Sequence, residues 1–109
     1  MAGKFVVYKG KDGQDYFRLK AENGNVILSG EGYKTKKACL NGIESVRKNS
    51  QDPGRFEVKT AKDGRTYFIL KATNGREVGR SQLYKSNSGC SNGMKSVAKN
   101  APGATVVEE

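Results

Sequence analysis

Lys11-Asp12-Gly13-Gln14-Asp15-Tyr16-Phe17-Arg18-Leu19-Lys20-Ala21-Glu22-Asn23-Gly24 decides the fold, because its design returns as Lys62-Asp63-Gly64-Arg65-Thr66-Tyr67-Phe68-Ile69-Leu70-Lys71-Ala72-Thr73-Asn74-Gly75. Asp-Gly and Asn-Gly supply residues tolerant of positive φ at two hairpin turns, and the residues between them alternate as a half-buried strand does. Outward from this stretch, a constant shift of 51 residues aligns Phe5–Asn49 with Phe56–Asn100 without a gap, and 21 of the 45 pairs are identical. The chain is an internal duplication. At 109 residues it is too short for two ordinary domains. Two repeats, about 4–52 and 55–103, therefore share one core in a single domain spanning 1–109.

Comparing the copies sorts each strand into faces. Phe5/Phe56 and Val7/Val58 stay apolar in both copies, which places these four toward the core. The other face carries Val6 and Tyr8 in one copy and Glu57 and Lys59 in the other, so it reads as solvated. In the second strand Phe17, Leu19 and Ala21, with Phe68, Leu70 and Ala72, form the buried set. The third strand, Val26-Ile27-Leu28-Ser29, is matched by Glu77-Val78-Gly79-Arg80, where Gly79 weakens the strand pattern.

Thr35 and Ser86 are N-caps for helices whose apolar faces are Cys39, Ile43, Val46 and Cys90, Met94, Val97. Tyr33 and Tyr84 precede the caps, placed to fold over the helix ends, and Asn49 and Asn100 close the helices. The segment from about 104 to 108 follows Pro102-Gly103 as Phe56-Glu57-Val58 follows Pro53-Gly54, so it reads as a last strand. The expected fold class is α+β: two tandem β-β-β-α units plus a final strand, forming a single antiparallel sheet with both helices on one face.

Lys and Arg outnumber Asp and Glu by 20 to 11, a net charge of +9 that favours polyanions, although no basic run exceeds the pair Lys36-Lys37. There is no His, which removes the usual neutral-pH acid–base group, and the two cysteines fall on apolar helix faces as small hydrophobes. Asp12 and Asp63 precede Gly in turns, where Asp serves backbone geometry. No catalytic residue, cofactor or metal ligand is expected. Nothing at the N-terminus resembles a leader, no apolar run reaches the ~18 residues of a membrane span, and the expected setting is the cytoplasm.

Two features recur without an obvious place in a core. Asn41-Gly42 and Asn92-Gly93 fall mid-helix although both residue types are poor helix formers. Gly there admits a close neighbour, and Asn41 and Asn92 serve either to bond a nearby loop or as recurring recognition groups. The second feature is the sheet face opposite the helices, carrying Tyr8, Tyr16, Arg18, Lys20, Lys59, Tyr67 and Lys71. Aromatic rings among cations on an open sheet suit single-stranded nucleic acid; the same residues also make a merely soluble sheet face.

Taken together, Asp-Gly, Tyr-Phe, Leu-Lys-Ala and Asn-Gly, then Tyr33 with Asn41-Gly42-Ile43 and Ser45-Val46, resemble the YegP-like family of small bacterial proteins, over nearly the whole chain and in both copies. The resemblance implies units of three strands, a helix and a strand in a single sheet, with the last strand of each unit exchanged into the other. It also implies a monomer that acts as an internal pseudo-dimer. The family pattern often has Ser three places before the Tyr that precedes the helix; this chain has Ser81 in one copy and Gly30 in the other. The resemblance carries no established activity.

The functional expectation is a non-enzymatic binding module, with nucleic acid as candidate partner on the Tyr- and Lys/Arg-bearing face and no membrane. The alternatives are a structural protein–protein interaction module, or an enzyme with a small polar site around the helix Asn residues.

Overall fold

The computed structural model describes residues 3–109; the expectation that the N-terminus carries no leader falls partly on Met1 and Ala2, which lie outside the described residues. The elements run β1 (Lys4–Lys9), β2 (Asp15–Lys20), β3 (Val26–Ser29), α1 (Lys36–Asn49), a 3-10 turn (Pro53–Arg55), β4 (Phe56–Thr60), β5 (Thr66–Lys71), β6 (Glu77–Arg80), α2 (Asn87–Asn100) and β7 (Thr105–Glu108). All seven strands form one sheet in the order β4-β5-β6-β3-β2-β1-β7.

The turns are made as their residues require. Asp12 and Asp63 each accept the backbone N–H two residues on, at 3.0 Å, and Gly13 and Gly64 follow at φ of 81° and 90°. Those angles are open to Gly at no steric cost. Thr35 Oγ1 accepts from the Ala38 amide at 3.1 Å and Ser86 Oγ from the Gly89 amide at 3.0 Å, satisfying donors that a helix start leaves unpaired. At the other end Asn49 Nδ2 donates to the Ser45 carbonyl and Asn100 Nδ2 to the Ser96 carbonyl, both at 2.8 Å.

The two halves meet at β3 and β6 through the single pair Ser29–Arg80, which occupy equivalent positions in the two repeats. A pseudo-twofold axis therefore passes between these strands. Across it lies one core: Phe5, Phe17, Leu19, Leu28, Phe68 and Leu70 pack with Cys39, Ile43 and Val46 of α1 and Cys90 and Val97 of α2. Each helix bridges the halves, α1 reaching β5 and β6 as well as β2, and α2 reaching β3 as well as β5.

The sheet is mixed rather than antiparallel, because β7 runs parallel to β1, with Phe5 beside Val106 and Val7 beside Glu108. Symmetry explains the direction. The crossover through α1 delivers β4 to the outer side of β5, and the equivalent crossover through α2 leads to the outer side of β2. β1 already occupies that place, so β7 keeps its direction and lies one strand further out. The last strand thus crosses into the other half, as the family resemblance implies, and β4 remains an edge.

That edge changes the burial of equivalent residues. Phe5 and Val7 are buried between β2 and β7, but Phe56 is only half-buried and Val58 is 50% exposed, against the expectation that all four face the core alike. Val6 and Ile69, on the side opposite the helices, are 2% and 3% exposed, so that side is not simply solvated. Tyr33 and Tyr84 lie over the middle of their helices rather than the ends. A Cβ at Gly42 would stand 2.4 Å from Tyr33 Oη, and one at Gly93 2.3 Å from Tyr84 Oη, which accounts for Gly in both helix interiors. Ser81 acts locally, since its Oγ accepts the Phe68 amide and donates to the Gln82 carbonyl, whereas in copy one the Gly30 backbone stands beside the Phe17 ring.

Candidate nucleic-acid interface

Strand register puts the seven predicted face residues on one side of the sheet. Tyr8 pairs with Tyr16 across β1 and β2, with Arg18 and Lys20 following at intervals of two; Lys59 pairs with Tyr67 across β4 and β5, with Lys71 further along. Alternation adds Lys4, Val6 and Ile69, the cross-strand pairing adds Glu57 beside Ile69, and the ladder to β6 adds Arg80 and Glu77. Lys4 was legible from its spacing to Val6 and Tyr8. Arg80 and Glu77 were not, because a bulge between Leu70 and Lys71 sets their register.

The two halves of this face differ in charge. In the first, the Tyr8 and Tyr16 rings stack at 5.6 Å and the Arg18 guanidinium lies 4.4 Å from the centre of the Tyr8 ring. Tyr16 Oη donates to Asp12 at 2.7 Å, which fixes the ring, lowers the Asp12 pKa and raises that of Tyr16. Val6, the cross-strand partner of Arg18, is 2% exposed on this side of the sheet. Among the described residues, no ion pair engages Lys4, Arg18 or Lys20.

In the second half the charges are matched internally. Glu57 pairs with both Lys71 and Lys59, and these cations hold its carboxyl below the ordinary range, Lys71 contributing most. Arg80 makes a two-pronged contact with Glu77 at 3.2 Å while lying 5.3 Å from the Tyr67 ring centre. Of the seven predicted residues, Tyr8, Tyr16, Arg18 and Lys20 form one cluster, and Lys59, Tyr67 and Lys71 belong to a second cluster that carries its own carboxylates.

Asn41 and Asn92 are both exposed, and among the described residues neither side chain makes the loop hydrogen bond expected of it. Each lines an open cleft between its helix and a hairpin of the other half. Asn41 shares one of about 410 Å³ with Asn74, Arg76 and Tyr33, and Asn92 one of about 420 Å³ with Asn23, Lys95 and Lys99. Arg76 is held by Glu31 at 3.3 Å, and burial raises the Tyr33 pKa. The thiols of Cys39 and Cys90 are free and buried; burial pushes Cys39 up to about 11 and Cys90 upward as well. Among the described residues there is no cluster of His, Cys, Asp or Glu able to hold a metal, and no helix is long and apolar enough to cross a membrane.

A family model described as a domain of unknown function, DUF1508, matches the chain twice, over residues 11–57 and 61–108. A UPF0339 protein of Pseudomonas aeruginosa is 53% identical over 109 residues, covering 100% of this chain and 99% of its own. A UPF0339 protein of Stutzerimonas stutzeri is 49% identical over 108 residues, covering 99% and 97%. Among solved structures, the solution structure of the Escherichia coli protein of unknown function YegP superposes with a TM-score of 0.95 at 43% identity, covering 100% of this chain and 94% of that one. The UPF0339 protein of Shewanella oneidensis gives 0.92 at 42%, covering 99% and 92%. Both repeats are thus matched separately, and the seven-strand arrangement is shared as a whole; the chain belongs to the DUF1508, or UPF0339, family of uncharacterised bacterial proteins, in the two-repeat form that YegP exemplifies.

Proposed function

We propose that this protein is a non-enzymatic binding module that takes single-stranded nucleic acid weakly on the open sheet face of its first repeat. The observation that supports this reading is the charge asymmetry: Lys4, Arg18 and Lys20 have no carboxylate partner among the described residues, whereas Lys59 and Lys71 share Glu57. Phosphates would be neutralised by the three first-repeat cations, and a base would stack on the Tyr16 ring or on the Arg18 guanidinium plane. The fixed Tyr16 ring lowers the ordering cost of such a contact.

Fluorescence anisotropy with labelled single-stranded DNA and RNA oligomers across a salt series tests this. About three phosphate contacts give a slope of roughly −2 in log affinity against log salt. Tyr16→Ala weakens binding without changing that slope, while Lys4→Ala with Lys20→Ala flattens it; Lys59→Ala with Lys71→Ala does neither. Absence of binding to both oligomers at low salt overturns the reading.

A further inference from the structure

The pseudo-twofold axis that places β7 beside β1 also defines a matching place beside β4, and no strand among the described residues fills it. In the first half it is filled in detail. Arg47 lies over the Phe5 ring at 5.6 Å and donates to the Ala104 carbonyl at 2.7 Å as β7 begins; the Glu109 amide donates to the Val7 carbonyl at 2.8 Å, and Glu108 pairs with Lys36. The residues that receive β7 have counterparts in the second half at a shift of 51 residues. Phe56 stands for Phe5, Val58 for Val7, Ala98 for Arg47, and Lys95 for Glu44.

The counterpart is a cleft of about 360 Å³ between α2 and β4, lined mainly by Phe56, Met94, Lys95 and Ala98 with Pro53 and Gln51 at one end. Beside it Val58 is 50% exposed, where Val7 is 2% exposed. The backbone is turned to receive a strand. The Ala61 amide bonds inward to the Arg65 carbonyl, so by alternation the N–H and C=O of Val58 point outward, as those of Val7 do toward β7. An apolar cleft beside an unpaired strand edge is the arrangement that recognises an extended segment by adding it to the sheet.

We propose that the β4 edge is a docking site for an extended segment of a protein partner, running parallel to β4, with an apolar side chain seated over Phe56 and Met94 and an acidic one in its leading half, within reach of Lys95. β7 is the template for the direction and for the apolar residue, since Val106 lies beside Phe5. The acidic residue follows from the change of charge. In α1, Glu44 is paired with Arg47; in α2 the same positions are Lys95 and Ala98, and among the described residues Lys95 has no ion pair. Lys95 lies one turn before Ala98, on the wall of the same cleft.

The probes are two synthetic hexapeptides patterned on β7, Glu-Thr-Val-Val-Glu-Glu and Lys-Thr-Val-Val-Glu-Glu, titrated at millimolar concentration into isotope-labelled full-length protein. Amide shifts are expected in residues 56–60 and in α2 around Lys95 and Ala98, with the Glu-led peptide binding about tenfold more tightly. Lys95→Glu should reverse the order of the two peptides. Val58→Pro, which removes an outward donor from an edge strand, should abolish both responses while the amide spectrum of β1, β2 and α1 stays in place. No shift at residues 56–60 with either peptide overturns the proposal. So does a response confined to the β1–β7 edge, or concentration-dependent self-association that protects β4, since a second copy would then be the occupant.

Discussion

Leu28 fills the space that a side chain at the equivalent Gly79 would need. A Cβ placed on Gly79 would lie 2.6 Å from Leu28 Cδ2, and Leu28 is fully buried. Close to a twofold axis, two equivalent positions converge on one volume, and only one of them can hold a large side chain. Gly79, which weakens β6 as a strand by sequence, is the complement of Leu28.

This relationship predicts opposite failures at the two sites. Leu28→Ala leaves a cavity and costs about 2–5 kcal/mol, and Gly79→Val overpacks the same volume and costs about 1–3 kcal/mol. Combining Leu28→Ala with Gly79→Val recovers part of the loss. Urea denaturation of the four proteins measures the coupling; strictly additive costs would show that the two positions do not share a volume.

Gly42 gives a prediction whose sign depends on a second residue. On an exposed helix, Gly→Ala stabilises by about 1 kcal/mol. Here the new methyl meets Tyr33 Oη, so Gly42→Ala alone destabilises. In a Tyr33→Ala background, already weakened by loss of the ring that stacks with Phe17 at 6.2 Å, the same change becomes stabilising. Thermal midpoints of the three variants against the parent decide it, and Gly93 with Tyr84 should behave alike.

Glu57 silences two lysines, so Glu57→Gln frees Lys59 and Lys71. Oligonucleotide affinity at low salt then rises, and the salt slope steepens by up to roughly 1.4. The same anisotropy series reads both. An unchanged slope would mean that the second repeat stays out of contact even when its charges are released.

Cys39 sets a pH dependence at the alkaline end. Burial raises its thiol from 9.0 to about 11, so the unfolded chain loses this proton first. The stabilising contribution is complete below pH 9 and disappears as pH rises through 11. The measurement is a difference: Cys39→Ala shows a shallower decline in stability between pH 9 and 11 than the parent. A thiol reagent at neutral pH should label Cys39 only after denaturation.

Turn chemistry, strand alternation and helix caps were legible because each depends on neighbours within a few residues: Asp12 with Gly13, Thr35 with Ala38, Phe17 with Leu19. The parallel direction of β7, the exposure of Val58 and the burial of Val6 depend on which strand or side chain arrives from a distant part of the chain. Comparing the copies even points the wrong way for Val58, since matching residues in two repeats need not have matching neighbours. For the candidate interface, alternation brought the seven face residues together, and Glu57 lay in view at the spacing that reaches Lys59. Its grip on Lys71 required the pairing of β4 with β5.

Joining the repeats through β4 has a further consequence for how such a surface can change. Two separate copies of one unit would have to accept every substitution twice, once in each partner, whether or not both places benefit. In the joined chain each repeat carries its own text. Arg47 can remain a clamp while its counterpart Ala98 opens a cleft, and Glu57 can neutralise one half of the sheet while Val6 and its neighbours leave the other half cationic. The linkage turns a structure with two equal halves into one whose halves are free to specialise.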